Sequence, residues 1–220
     1  MFSLFKQLLD WIYRKDCYLC KKPSPSGIIC SKCYSEIEHN TFDPIKIVGG
    51  INIYSSILYM DKVKKLIRGI KYHKQKELAV PLAEILYEYW NNLGHSKDEY
   101  EIVPMPLHPK RQRERSYNQV QLYAEEFSKL TGYTINSKIA KRIKNTKPQY
   151  KLSRLQRIQN LKGAFSVDPD KYNGKKLLIF DDICTTGTTI SELINTFRQN
   201  KIKNLYVLVL ANPFIGLNER

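Results

Sequence analysis

The sequence predicts an α/β protein with a mainly parallel sheet flanked by helices, preceded by a small module built on four cysteines. Two observations predict the sheet: short apolar runs typical of buried strands, and amphipathic helical segments that alternate with them through the second half of the chain. A third observation predicts the module, since four of the five cysteines lie in the first 33 residues. A length of 220 residues suits one main domain with an accessory module.

The N-terminal segment, residues 1–16, predicts a short helix. Its apolar residues recur at helical spacing, at Phe5, Leu8, Leu9 and Ile12. Lys6 and Asp10 interrupt the apolar face and no small-residue cleavage site follows, so the segment is a poor signal peptide. We expect it to pack on the rest of the chain, with membrane-surface binding as the alternative. We expect no transmembrane segment, because no apolar run reaches about 18 to 20 residues.

The cysteines form two C-x2-C pairs, Cys17 with Cys20 and Cys30 with Cys33. Each pair places two thiolates on one tight turn, and together they complete the tetrahedral S4 site that zinc prefers. The alternatives are disulfides, disfavoured because no secretion signal is present, and an iron–sulfur cluster. Four thiolates close the coordination shell, so we expect a structural Zn²⁺ that contributes folding energy to a module too small to hold its own core.

A linker is predicted over residues 41–50, TFDPIKIVGG, from Pro44 and the Gly49–Gly50 pair. The chain is therefore divided into residues 1–45, the N-terminal helix and zinc-binding module, and residues 46–220, the main domain. The main domain begins with a strand, INIYSSILY, and two helices, DKVKKLIRGIKYHK and KELAVPLAEILYEYWNNLG.

The remaining elements follow in order. EIVPMPLHP predicts a short strand, and RQRERSYNQVQLYAEEFSKLTG a loop leading into a helix. The stretch from Thr134 to Val167 is basic and weakly patterned, so we expect a mobile loop with helical pieces. KKLLIF predicts a buried strand, TTISELINTFRQNK a helix and NLYVLVLANP a further buried strand.

The segment LLIFDDICTTGTTI carries the strongest chemical signal. Asp181 and Asp182 stand at the carboxyl end of a predicted strand, where ligands bind in open α/β sheets. A loop then leads into a helix N-terminus that can hold a phosphate, formed by Thr185, Thr186, Gly187, Thr188 and Thr189. The carboxylates suit the vicinal hydroxyls of a ribose, because they only accept hydrogen bonds. The alternative is that an aspartate merely caps the helix.

The net charge of +15 favours anionic partners, either nucleic acid or phosphorylated metabolites. Aromatic residues lie among cations in KYHK and KPQYKLSR, and the chain holds 15 tyrosines. Basic grooves with stacking rings suit single-stranded DNA. Tyrosines of the hydrophobic core would give the same composition, so the tyrosines could serve either DNA binding or core packing.

LLIFDDICTTGTTI closely resembles the phosphoribosyl-pyrophosphate (PRPP) signature of type I phosphoribosyltransferases. Four segments precede this signature in the order that is typical of the ComF (ComFC) family: the four-cysteine module, IKYHKQKELA, VPMPLHPKRQRERSYNQ and NLKGAF. The chain therefore resembles that family, which is associated with natural transformation and DNA uptake. Relatives commonly show R-G-F-N-Q where this chain has Arg115 to Gln119, so Ser116 stands in place of a glycine.

The resemblance implies a type I phosphoribosyltransferase-like fold for the main domain and a role for each candidate residue. Asp181 and Asp182 would be the catalytic pair that holds the ribose, and the loop from Thr185 to Thr189 would hold the 5′-phosphate. Pyrophosphate, with Mg²⁺, would lie near Leu107, His108, Lys110 and Arg111, beneath a hood that carries Arg154 and Arg157. For nucleic acid, the candidates are Lys71, Tyr72, Arg113 and Arg115.

Two functions are consistent with this sequence. The first is a cytoplasmic PRPP-binding protein of natural transformation that handles single-stranded DNA, together with DNA-uptake proteins at the inner membrane. The second is a housekeeping Mg²⁺-dependent phosphoribosyltransferase that acts on a nucleobase or another small acceptor. The sequence leaves turnover of PRPP undecided, because no acceptor-pocket motif is evident.

Overall fold

The structure is a computed structural model that describes residues 16–25, 27–95, 98–146 and 153–213. The predicted N-terminal helix therefore lies outside the described residues except for Asp16. Most of the KPQYKLSR segment lies outside them as well.

One sheet organises the described residues. Six strands form it in the order β1-β2-β8-β7-β3-β4, parallel throughout except for the antiparallel edge strand β1. Two further strands, β5 and β6, form a separate antiparallel ribbon. The strand bounds are β1 Lys46–Val48, β2 Ile51–Leu58, β3 Tyr100–Pro104, β4 Thr134–Ile135, β5 Ala140–Arg142, β6 Phe165–Val167, β7 Lys176–Ile183 and β8 Leu205–Asn212. The predicted mainly parallel α/β fold is confirmed.

Helices connect the parallel strands. Their bounds are α1 Ser31–Ser35, α2 Asp61–Tyr72, α3 Ala79–Asn92, α4 Pro109–Arg115, α5 Gln119–Thr131, α6 Arg154–Leu161 and α7 Thr188–Gln199, with 3₁₀ turns at Lys76–Leu78 and Pro169–Lys171. The apolar stripe that predicted α2 is buried, at Val63, Leu66, Ile67 and Ile70. The central strands β7 and β8 are apolar on both faces because helices cover both, as parallel sheets require.

The four-cysteine module packs on α2 and shares its core with the sheet domain. Cys17, Leu19 and Ile29 are buried in the same apolar cluster as the sheet. The Lys65 ammonium donates to the carbonyl of Leu19 at 2.6 Å. Gly69 permits the close approach of Tyr18, since a Cβ at Gly69 would lie 2.6 Å from the Tyr18 hydroxyl oxygen. Because position 69 is a glycine, the four-cysteine module can pack directly against α2.

The structure departs from the sequence prediction in three segments. The predicted linker contains strand β1, and the predicted loop before α5 contains helix α4. The predicted mobile stretch contains the strands β4, β5 and β6 beside the helix α6, which agrees with the helical pieces expected there. Strands of two or three residues are too short for a period-two pattern, and their pairing depends on backbone hydrogen bonds that any sequence can make. Helix α4 buries none of its residues, so it carries no apolar stripe to predict it.

Candidate functional site

The four cysteines form a compact cluster. Their sulfur atoms all lie within 4.8 Å of one another, and Cys20 Sγ lies 3.8 Å from Cys30 Sγ. Four thiolates around zinc at about 2.3 Å lie roughly 3.8 Å apart in a tetrahedron, so the spacing fits such a metal. None of the four forms a disulfide. Although burial opposes ionisation, backbone N–H groups of Cys20 and Cys30 lower the pKa of Cys17 to about 6. The cluster could therefore hold a metal ion such as zinc.

A second site lies at the carboxyl end of the sheet. A cavity of about 400 Å³ opens there, lined by the end of β7, the loop that follows it, and side chains from α2, α4, α5, α6 and β5. Asp181 and Asp182 are the sixth and seventh residues of β7, and Thr185 to Thr189 line the same cavity. This is the edge at which open α/β sheets bind ligands.

The two carboxylates are held differently. Asp182 Oδ2 accepts from Lys71 Nζ at 2.6 Å and from Gln119 Nε2 at 2.8 Å, and both Lys71 and Asp182 are largely buried. Asp181 Oδ1 accepts the backbone N–H of Asp182 at 2.8 Å. Lys71, expected at a nucleic-acid surface, instead lies against the acid pair.

These contacts separate the two acids electrostatically. Burial and the neighbouring Asp182 carboxylate raise the pKa of Asp181 to about 7. Burial also opposes the charge on Asp182, but the Lys71 ammonium and the Gln119 amide lower its pKa below the usual value. One acid is therefore firmly ionised near neutral pH, and the other can exchange a proton there.

The loop after β7 depends on Gly187 and on the edge strand. Gly187 has a φ of 75° and is the N-cap of α7. A Cβ at this position would lie 2.9 Å from Val48 Cγ2, so only glycine fits both the conformation and the space. Lys46 of β1 donates to the carbonyl of Thr185 at 3.1 Å. The first-turn N–H groups of α7 are thus presented at the cavity beside the threonine hydroxyls.

Some of the residues predicted to bind pyrophosphate line the cavity, and others do not. Arg111, Arg115 and Arg157 line the cavity, as does Leu107. His108 instead caps α4, where its Nδ1 accepts the backbone N–H of Lys110 at 3.2 Å, and Lys110 itself is exposed. The structure describes the backbone of Arg154 as the first residue of α6, and its side chain lies outside the description.

The remaining nucleic-acid candidates lie near the rim. The ring of Tyr72 is 64% exposed, and the Arg115 guanidinium carbon lies 5.3 Å from its centroid. Arg115 also donates through Nη1 to Gln119 Oε1 at 2.9 Å. Arg113 is exposed on α4. Arg115 therefore links an exposed aromatic ring to the amide that holds Asp182.

The polar side chains of Lys46, Tyr59, Gln119 and Arg142 lie at or beside this cavity and were not singled out by the sequence analysis. Gln119 lies in the SYNQ segment, so its motif could have indicated it. Lys46 and Arg142 lie on short strands inside segments predicted as linker and loop. Nothing in their local sequence indicates a site. Within the described part of the chain, no helix has the length and apolarity needed to cross a membrane.

Comparison with known proteins finds relatives that are named for competence or for DNA utilization. Competence protein F of Haemophilus influenzae is 29% identical over 212 residues, which cover 89% of each chain. DNA utilization protein YhgH of Salmonella typhi is 28% identical, over 70% of this chain and 68% of its own. Competence protein ComFC of Bacillus subtilis is 23% identical, over 79% of this chain and 68% of its own.

Among solved structures, the chain is similar to one described as the allosteric regulatory enzyme of purine biosynthesis. The TM-score is 0.37 at 16% identity, and the match covers 60% of this chain and 26% of that protein. No protein-family model matches the chain. The matches to the three named relatives each extend over 70% or more of the chain. These relatives, at 23–29% identity over most of the chain, support its assignment to the ComF/ComFC family.

Proposed function

We propose that the protein binds PRPP at the carboxyl end of β7 and acts in natural transformation. The observation that carries the proposal is the joint placement of Asp181, Asp182 and the Thr185–Thr189 loop around one cavity. A ligand with a sugar diol next to a phosphate matches this pairing of acceptors and donors.

The contacts of each residue indicate which part of PRPP it binds. Asp182, ionised and held by Lys71 and Gln119, accepts hydrogen bonds from ribose hydroxyls, with Asp181 beside it. The first turn of α7 and the threonine hydroxyls bind the 5′-phosphate. Arg111, Arg115 and Arg157 supply positive charge for the pyrophosphate. The carboxylate oxygens at the cavity are of the kind that Mg²⁺ prefers, and Mg²⁺ bound with pyrophosphate would neutralise part of its charge.

The relatives' names support the biological role. Competence protein F, ComFC and DNA utilization protein YhgH are named for competence or for DNA use. With a net charge of +15, the protein handles single-stranded DNA in the cytoplasm, alongside DNA-uptake proteins at the inner membrane. The four-cysteine cluster holds a structural Zn²⁺.

Substitution of the acid pair tests the ligand. We expect Asp181→Asn and Asp182→Asn each to weaken PRPP binding at least tenfold, since a hydrogen bond to a charged group contributes about 1.5–3 kcal/mol. Isothermal titration calorimetry with Mg²⁺ measures the affinity. The control is Asp170→Asn, an exposed acid on the 3₁₀ turn before β7, which removes the same charge. Absence of PRPP binding by the unsubstituted protein refutes the proposed function.

A second candidate function, turnover of PRPP by phosphoribosyl transfer, is favoured by one observation. A pKa of about 7 for Asp181 suits a group that accepts a proton from an acceptor as the new bond forms. Release of pyrophosphate on adding a candidate nucleobase, and its loss in Asp181→Asn, would establish the enzyme. PRPP binding without pyrophosphate release, across the nucleobases, would leave the protein as a PRPP sensor.

A further inference from the structure

Arg142, the last residue of β5, is a buried cation at the cavity. It is 9% exposed, and its guanidinium carbon lies 5.5 Å from the centroid of the Phe165 ring. Its Nη2 donates to Thr146 Oγ1 at 2.6 Å, whereas its buried Nε has no hydrogen-bond partner among the residues that the structure describes. Because buried polar groups in native proteins are almost always satisfied, this donor needs an explanation.

Arg111 shares the same support. Its Nη2 donates to the carbonyl oxygen of Thr146 at 2.8 Å, so one threonine holds two guanidinium groups through its hydroxyl and its carbonyl. Burial and the neighbouring Arg111 lower the pKa of Arg142 to about 10, which reflects repulsion between like charges. Bringing the buried Arg142 close to the half-buried Arg111 lowers stability unless an anion completes the cluster.

In the part of the chain that the structure describes, no carboxylate forms an ion pair with either guanidinium group, although Asp181 lies near enough to raise the pKa of Arg142. The ion pairs found there involve other cations, and the cavity acid Asp182 is already paired with Lys71. The anion that fits is one with several oxygens, able to accept from Nε and Nη donors of two guanidinium groups at once. Such an anion must share the 400 Å³ cavity with the phosphate-binding loop.

We propose that Arg142 and Arg111, both held by Thr146, form the subsite that binds the pyrophosphate group of PRPP. The assignment rests on the proposed function and adds Arg142 and Thr146 to it. The unpartnered Nε of Arg142 is the donor that the pyrophosphate oxygens satisfy. The β5–β6 ribbon, which carries Arg142 and Phe165, thereby becomes one wall of the ligand site.

The test compares three probes by calorimetry with Mg²⁺: PRPP, inorganic pyrophosphate and ribose 5-phosphate. We expect Arg142→Met to weaken binding of PRPP and of pyrophosphate at least tenfold, and to change the affinity for ribose 5-phosphate less than twofold. Arg142→Lys retains the charge without the planar fork, so it should lose affinity for pyrophosphate by a smaller factor. Arg198→Met, which removes an exposed cation in the last turn of α7, is the control and should change none of the three.

Thermal unfolding separates a binding role from a structural one. Since Arg142 is a buried cation without a carboxylate partner, we expect Arg142→Met to unfold no lower than the unsubstituted protein, and to lose the rise in Tm that pyrophosphate produces. If Arg142→Met unfolds too readily to be titrated, Arg142→Lys decides the question with the same three probes.

Each failure has a distinct signature. If the unsubstituted protein binds PRPP and the Arg142 variants bind pyrophosphate with unchanged affinity, the subsite is wrong and the proposed function stands. Equal losses for pyrophosphate and ribose 5-phosphate also overturn the subsite, because they indicate a general disturbance of the cavity. If the unsubstituted protein binds none of the probes, the proposed function fails first.

Discussion

At the scale of single residues, Ser116 adopts a backbone conformation that favours glycine. Ser116 terminates α4 with a φ of 68°, in the left-handed region, where the related pattern carries glycine. A side chain with a Cβ is strained in this conformation by about 1–2 kcal/mol, and glycine is not. The serine therefore retains the turn that leads to Asn118, whose side chain donates to the carbonyl of Met105 at 3.0 Å, at a cost in stability.

Ser116→Gly should raise the free energy of unfolding by about 1 kcal/mol, because relief of strain exceeds the added entropy of the unfolded chain. The expected rise in Tm is about 2–4 °C for a chain of this size. Chemical denaturation measures the free energy, and Ser116→Ala is the matched control because it retains the Cβ and should gain nothing. An equal gain in both variants would contradict the strain argument and point to the hydroxyl group instead.

At the scale of elements, we expect the four-cysteine module to depend on a bound metal for its folding, and its position is fixed by contacts with α2. Its apolar contribution to the core is small, with Leu19, Ile29 and Ile37 as its buried aliphatic side chains. A segment of this size does not hold a core unaided, so metal binding and folding are coupled. The Lys65 and Gly69 contacts then fix the module against the sheet domain.

Removal of the metal should therefore destabilise more than the module alone. We expect Cys33→Ser to lose the bound zinc and to lower the Tm by roughly 10 °C, because the buried ligand cannot be replaced by an outside donor. Elemental analysis and thermal unfolding measure the two effects. Cys184→Ala, which removes the buried cysteine outside the cluster, should retain the zinc. A purified protein that contains no metal and whose four thiols titrate freely would remove the site.

At the scale of the whole molecule, the excess of 15 positive charges favours anionic partners, and we propose that single-stranded DNA is one of them. The exposed ring of Tyr72 and the exposed Arg113 lie on α2 and α4, the helices that also carry Lys71 and Arg111 to the cavity. A strand bound there would lie close to the proposed PRPP site. Through Arg115 and Gln119, such a strand could influence how Asp182 is held.

We expect single-stranded DNA to bind with an affinity that falls steeply as salt rises, since each phosphate contact releases counterions. Tyr72→Ala and Arg113→Ala should each weaken binding about threefold or more, through loss of stacking and of a phosphate contact respectively. Fluorescence anisotropy of a labelled oligonucleotide at several salt concentrations measures this, with Arg198→Ala as control. Binding that is absent at low salt, or insensitive to salt, would refute an electrostatic DNA surface. Repeating the titration with PRPP tests whether the two sites are coupled.

The sequence by itself determined the features that are local along the chain. The long helices were predicted from their apolar periodicity, as in α2. The central strands were predicted from continuous apolar runs, as in β8. The acid pair, the threonine loop and the cysteine pairs were recognisable because each motif lies within one short segment. The chemistry of these motifs depends on residues that are close together along the chain.

Only the tertiary structure decided which distant side chains meet them. Gln119 bonds Asp182 across 63 positions of sequence, and Lys46 bonds the loop at Thr185 across 139. The parallel sheet brings the carboxyl ends of its strands to one edge, so residues from α2, α5 and β1 converge there without any shared local pattern. The same physics explains Arg142. Arg142 is one of many cations in a weakly patterned basic stretch, so the sequence does not single it out. Folding buries it beside Arg111 and leaves its Nε as a donor that a ligand can satisfy.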